Sequence, residues 1–223
     1  MVAVRNAPPL FIFRMNSANL SYFAPESVSE SRAGYESAKR IFDLAAASAL
    51  LFFLLPVMAM VAMVVALDSP GGAIFAQERV GKNGSRFRLF KFRSMRRGTP
   101  EISTAEMQKQ AANPVTKVGA FLRRTSLDEL PQLVNVLRGE MSLVGPRPAL
   151  PTQTHLNELR AAGGVDALLP GITGWAQING RDDLSDALKV AHDVYYRHHR
   201  SLRLDFHILV RTVTPVLTGR GNR

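Results

Sequence analysis

The sharpest break between apolar and polar positions in this chain lies at one place. Between Asp43 and Asp68 stand 24 residues, Leu44 to Leu67, without a single charge. As a straight helix this run reaches ~36 Å, more than the roughly 30 Å of a bilayer's hydrocarbon core. A helix apolar on every side is unusual as the core of so small a domain, so membrane insertion is expected rather than burial. A secretory signal fits badly, because the run starts far from Met1, is long, and is followed by no convincing cleavage site. Pro56 sits at its centre, where it removes a backbone donor and crowds the preceding turn. Lys39 and Arg40 precede the run; Arg79, Lys82, Arg86, Arg88, Lys91 and Arg93 follow it. Basic flanks mark the cytoplasmic side. With both flanks basic, the segment is expected to enter and return as a kinked, re-entrant hairpin of helices; a plain span with a proline kink is the alternative.

The pattern elsewhere divides the chain into three: a weakly structured extension over 1–38, the membrane hairpin over 39–68, and a catalytic domain over 69–223. The last reads as α/β but mostly α, with amphipathic helices and a short sheet. Asp68-Ser-Pro-Gly-Gly72 is a turn, and Ala73–Ala76 and Phe87–Phe92 are short strands around a turn at Gly81–Gly84. Gly98 to Asn113 is polar and reads as a loop with a helical piece. From Val115, Val118, Phe121 and Leu122 share one helical face, with Lys117, Arg123 and Arg124 elsewhere. That pattern suits an interfacial helix or an ordinary surface helix. Pro131 to Leu137 is a further helix that Gly139 can end, and Phe206 to Leu217 is amphipathic again.

Charge and composition narrow the chemistry. The formal charge is +10, from 28 Lys and Arg against 18 Asp and Glu, which points to a polyanionic partner. The first 40 residues hold five basic and three acidic side chains, so most of the excess belongs to the body of the protein. Cysteine is absent, which excludes disulfides, thiolate metal sites and cysteine nucleophiles. The P-loop, the G-x-G-x-x-G turn and H-E-x-x-H are also missing, and the five histidines have no zinc spacing.

The densest polar motif is Arg123-Arg-Thr-Ser-Leu-Asp-Glu-Leu-Pro-Gln132. Ser126-x-x-Glu129 is also a capping-box pattern, in which Glu129 merely satisfies a backbone amide. Its company points further: a helix start and two arginines surround Asp128 and Glu129, and should hold a carboxylate ionised near neutral pH. Such a carboxylate can attack phosphorus or hold a divalent metal that bridges phosphates. In Leu143-Val-Gly-Pro-Arg-Pro148, two prolines stiffen the loop that presents Arg147. In Pro170-Gly-Ile-Thr-Gly-Trp-Ala-Gln-Ile-Asn-Gly-Arg-Asp182, Trp175 stands near Gln177, Asn179 and Arg181, a set fit for sugar or base hydroxyls, or else Trp175 is core. In Lys91-Phe-Arg-Ser-Met95, Lys91 and Arg93 share one strand face, as in a phosphate pocket or a wet surface.

These residues, in this order, resemble the bacterial sugar transferases, the monotopic phosphoglycosyl transferases. The resemblance rests on the basic pair, the apolar hairpin with its proline, Asp-Ser-Pro-Gly, Gln77-Glu-Arg-Val-Gly81, Lys91-Phe-Arg-Ser-Met95, Ser126-Leu-Asp-Glu-Leu-Pro-Gln132, Gly145-Pro-Arg-Pro148 and Pro170-Gly-Ile-Thr-Gly-Trp175. It covers about Lys39 to Thr214. It implies a re-entrant helix in the bacterial inner membrane, with the catalytic domain on the cytoplasmic face. It also implies transfer of a sugar-1-phosphate from a UDP-sugar to polyprenyl (undecaprenyl) phosphate, the initiating step of glycoconjugate or exopolysaccharide synthesis. Asp128 matches the nucleophile, which forms a phosphosugar-aspartate and releases UMP. Glu129 matches the residue that binds Mg2+, Arg123 a phosphate-binding arginine, and Arg147 one near the nucleotide; Lys91 and Arg93 are expected to line the same pocket. Membrane lipid is an expected partner, nucleic acid is not, and a homodimer is admitted. One departure stands out: the family breaks its membrane helix with Ser-Pro, and this chain has Leu55-Pro56, which lacks a hydroxyl to bond a freed carbonyl. The rival readings are a membrane-tethered carboxylate-dependent hydrolase of a lipid-linked phosphate or sugar, and a non-enzymatic basic scaffold.

Overall fold

The computed structural model describes residues 31–96, 98–99, 114–180 and 184–218. The expected loop between Gly98 and Asn113 lies almost wholly outside them, as do residues 1–30 and Arg181. Helix α1 (Ser31–Asp68) opens the described chain. It is followed by an antiparallel hairpin of β1 (Ile74–Val80) and β2 (Arg86–Phe92), then α2 (Lys117–Thr125), a 3-10 turn at Leu127–Glu129, and α3 (Gln132–Arg138). Strand β3 (Ser142–Val144) pairs in parallel with β4 (Gly171–Thr173), and α4 (Thr154–Ala162) lies in the crossover between them. Three helices finish the described chain: α5 (Trp175–Ile178), α6 (Asp186–His199) and α7 (Leu202–Thr218). The fold is mostly helical, as the pattern predicts, and holds two small sheets where one was expected.

The apolar run forms one uninterrupted helix, with Pro56 inside it. Two helices about a break were expected. A proline costs one backbone hydrogen bond and crowds one carbonyl, a local loss that flanking turns of strong helix formers survive. The helix also begins at Ser31, so residues 31–38 belong to it rather than to a weakly structured extension. In its most hydrophobic window only 11% of residues are buried, and Phe52, Phe53 and Leu67 are 76%, 74% and 82% exposed. A core helix is mostly covered. This one is long enough to cross a bilayer and bares its apolar side chains, which marks membrane association.

Its other face holds the globular part together. Ala47 and Leu51 pack with Phe87, Leu89, Leu133, Val136 and Met141, in a core between the hairpin, α3 and α7. Beyond Pro56, Val57, Val61 and Val65 pack instead with Phe92, Leu122 and Leu130. Polar groups pin the same helix. Asp205, 1% exposed on α7, accepts hydrogen bonds from Tyr35 (2.9 Å), Lys39 (2.9 Å) and Tyr196 (2.7 Å). Asp43 accepts from the Ser142 hydroxyl and the Leu143 amide, at 2.7 and 3.2 Å. Arg40 donates to the last carbonyls of α3, at Val136 and Leu137. At the far end, Arg93 donates to the carbonyls of Ser69, Pro70 and Gly71.

Helix α3 is docked on the hairpin by one side chain. Asn135 is fully buried; its carbonyl oxygen accepts from the Phe90 amide at 3.1 Å and its NH2 donates to the Arg88 carbonyl at 2.7 Å. It therefore acts as a one-residue strand along the open edge of β2. Gly139, with φ of 80°, ends α3 in the left-handed conformation that glycine adopts at no cost.

Candidate active site

The acidic pair stands where three elements meet. Helix α2 ends at Ser126, whose φ of 56° and ψ of 15° reverse the chain; Leu127–Glu129 makes one 3-10 turn, and α3 follows. The capping-box reading of Ser126-x-x-Glu129 is overturned. A capping serine needs extended backbone, and Ser126 is left-handed and makes no side-chain cap. Glu129 turns inward instead. Its Oε1 accepts from Lys91 Nζ at 3.1 Å and from both terminal nitrogens of Arg147, at 3.3 and 3.2 Å.

Asp128 is 7% exposed. Burial pushes its carboxyl up to about 6, and the Glu129 charge adds to the rise; Lys91, Arg123 and Arg147 pull the other way. The cations were expected to keep this acid low, and desolvation outweighs them. Lys91 is held below the usual lysine range, first by burial, with Arg147 and Arg79 adding to the effect and Glu129 and Asp128 opposing it. Strand β2 aims Lys91 inward through its alternation, since Phe87, Leu89 and Lys91 share one face.

The structure thus brings together Asp128, Glu129, Lys91, Arg123 and Arg147. It places three expected site residues elsewhere in their bonding. Arg93 is spent on the turn after α1, because β2 ends at Phe92 and the next residue leaves the pleat. Gln177 donates to the Ile172 carbonyl of β4 at 2.9 Å, and Asn179 donates to the Trp175 carbonyl of α5 at 2.8 Å, so both amide groups hold nearby backbone. Trp175 packs against the main core and stacks on Tyr195, with ring centroids 5.3 Å apart. Arg181 lies outside the described residues.

A cavity of about 380 Å³ opens behind Arg147, between the β1–β2 turn and α4, with Asn83, Arg86 and Asn157 in its wall. The Gly145–Pro148 loop reaches it by a close crossing of backbones: a Cβ on Gly171 would overlap the Gly145 amide, which explains the glycine in each motif. Arg79 and Arg160 back the same loop, donating to the carbonyls of Pro148 and Arg147. Neither stood out in the sequence, where each is one arginine among many.

Among the described residues no three His, Cys, Asp or Glu side chains gather as a metal cage. The donor chemistry at this turn still fits magnesium, which commonly takes one or two carboxylates and completes its shell with water and phosphate oxygens. Asp128 and Glu129 are the two hard oxygen donors present.

The site is thus a pair of carboxylates ringed by cations, on a domain built against a bared apolar helix of the kind that associates with membranes. The chain belongs to the bacterial sugar transferase family, whose model matches residues 34–219. It is 42% identical over 201 residues to the undecaprenyl-phosphate glucose phosphotransferase of Komagataeibacter xylinus, covering 82% of this chain and 36% of that protein. It is 36% identical over 222 residues to the exopolysaccharide production protein ExoY of Rhizobium meliloti (strain 1021), covering 92% of this chain and 97% of that protein. Identity to the UDP-glucose:undecaprenyl-phosphate glucose-1-phosphate transferase of Escherichia coli (strain K12) is 42% over 183 residues, 78% of this chain and 39% of that protein. The chain therefore spans little more than a third of two of these relatives and nearly all of the third.

Proposed function

We propose that this protein transfers a sugar-1-phosphate from a UDP-sugar to undecaprenyl phosphate at the cytoplasmic face of the bacterial inner membrane, as the opening step of exopolysaccharide synthesis. One observation carries the reading: Asp128, a buried carboxylate, stands beside Glu129 where Lys91 and Arg147 converge. A carboxyl near 6 is mostly ionised at neutral pH yet poorly hydrated, which favours nucleophilic attack. A carboxylate oxygen of Asp128 bonds to the sugar-bearing phosphorus, the bond from that phosphorus to the bridging oxygen breaks, and UMP leaves with the electron pair. An oxygen of the acceptor phosphate then attacks the same phosphorus. The Asp128 ester breaks, freeing the carboxylate and leaving the sugar on a polyprenyl diphosphate.

Lys91, Arg123 and Arg147 offset the phosphate charge during both displacements. Arg147 faces the cavity on its other side, which suits the nucleotide end of the donor. Glu129, with Asp128 beside it, would hold magnesium. That ion supplies charge neutralisation across the two donor phosphates.

The packing also supports a same-side topology for α1. Tyr35, Lys39 and Asp43 near its start and Ser69–Gly71 just past its end all bond to one globular unit. A helix tied at both ends to a single unit has both ends on the side of the membrane where that unit lies.

The deciding experiment measures UMP released from a panel of UDP-sugars, with magnesium, with and without undecaprenyl phosphate, for the parent protein and Asp128→Asn. Acceptor-dependent UMP from one donor, lost in the variant, is the expected result. UMP released equally without acceptor would indicate hydrolysis of the donor instead of transfer, and no UMP from any donor would remove the enzymatic reading.

A further inference from the structure

The Gly145–Pro148 loop has a bonding problem that its own sequence creates. Two prolines leave Pro146 and Pro148 without amide donors, so the loop must be held largely by its carbonyls. Four in a row are engaged. Pro146 accepts from the Gly171 amide at 2.8 Å and Ala149 from the Val80 amide at 2.9 Å. Pro148 accepts from Arg79 at 3.2 Å, and Arg147 from Arg160 Nη1 at 2.7 Å.

The bond to Arg147 differs from the others in what stands behind it. Arg160, on α4, is 8% exposed, and its remaining nitrogens Nε and Nη2 both grip Asp193 Oδ2 on α6, at 3.0 and 2.7 Å. Asp193 is 2% exposed. A planar guanidinium held at two nitrogens has its third fixed in direction and reach, which an ammonium cannot reproduce. The residue so fixed is the one whose own guanidinium holds Glu129.

We propose that the buried Asp193–Arg160 pair is a positioning device for Arg147, setting where its guanidinium stands against Glu129 and the donor phosphates. The inference rests on the phosphotransfer reading above and adds two residues that act through Arg147, of which Arg160 also reaches the wall of the cavity. Letting Arg147 drift loosens the contacts that its two terminal nitrogens make with Glu129.

Two readouts test this, using full-length protein in nanodiscs. The first is a double-mutant cycle on kcat/KM for UMP release, with Arg160→Lys and Asp193→Asn each placed in the parent and in Arg147→Ala. Either change is expected to cost about tenfold in the parent and less than about twofold once the Arg147 guanidinium is gone. The second readout needs no turnover: the Nε–Hε signal of Arg147 is followed by 15N NMR, identified by its loss in Arg147→Ala. Arg160→Lys should shift and broaden it, as should Asp193→Asn. Equal losses in both backgrounds with an unmoved Arg147 signal, accompanied only by a lower Tm, would overturn the proposal and leave the pair a fold-holding contact. If the parent protein releases no UMP at all, the functional reading falls, and the Arg147 signal still decides the positioning.

Discussion

Asp128 changes charge close to neutral pH, and two measurable consequences follow. The first concerns rate. If the ionised carboxylate is the nucleophile, the single-turnover release of UMP should be level above about pH 7 and fall about tenfold per unit below about 6. Lys91 is the largest influence opposing the rise in this acid, so Lys91→Met should shift that acid limb to higher pH; an unmoved limb would show that the two groups do not interact. The second concerns stability and has the opposite sense. The folded acid near 6 binds its proton more tightly than the ordinary carboxyl at 3.8, so protonation favours the fold. This contribution is full below about 4 and is lost as pH rises through 6. A shift of this size is worth about 3 kcal/mol. Melts of the parent and Asp128→Asn should therefore diverge by about that much between pH 4 and pH 7.5, the parent losing ground as pH rises.

Among the elements, α3 depends on Asn135 more than on its own length. A seven-residue helix is marginal alone, and this one is fastened through an amide that mimics a strand. Asn135→Leu keeps the branched skeleton but leaves the Phe90 amide and the Arg88 carbonyl without that partner, a loss of about 3 kcal/mol in denaturant melts. Gly171→Ala should cost a similar ~3 kcal/mol and also impair donor binding, because its methyl group collides with the Gly145 amide. Elements such as α3 and the β1–β2 hairpin were legible because local chemistry ends them: Gly139 stops the one, and the Gly81–Gly84 turn folds the other. The core of the site was legible too, since Asp128, Glu129, Arg123 and Arg147 stand in dense motifs. Other readings failed where a boundary, not a composition, decided the outcome. Ser126 resembles a cap in sequence, but the preceding helix ends on that same residue and takes its backbone out of the extended region. Arg93 shares a face with Lys91 only while the strand lasts, and the strand stops one residue short. Gln177 and Asn179 are polar side chains whose amide groups are turned onto nearby backbone, Gln177 to strand β4 and Asn179 to α5. Arg160 and Asp193 are 33 residues apart, and nothing local announces such a partnership.

At the scale of the whole molecule, α1 is both membrane anchor and structural member. One face is bared, and the other supplies Ala47, Val61 and Val65 to two separate cores. The same-side topology predicts that single cysteines at positions 38 and 70 will both react with an impermeant reagent added from the cytoplasmic side; labelling from opposite sides would establish a span. The absence of native cysteine makes the experiment clean.

The buried contacts of α1 also impose an order on biosynthesis. Lys39 waits for Asp205, 166 residues later, and Asp43 waits for Ser142, 99 residues later. At roughly 5–20 residues per second, the first interval is on the order of 10–30 s. Early in it the ribosome has exposed an oily helix most of whose protein partners do not yet exist. Lipid or a chaperone must shelter it first, and the globular part then assembles on a helix already seated at the membrane.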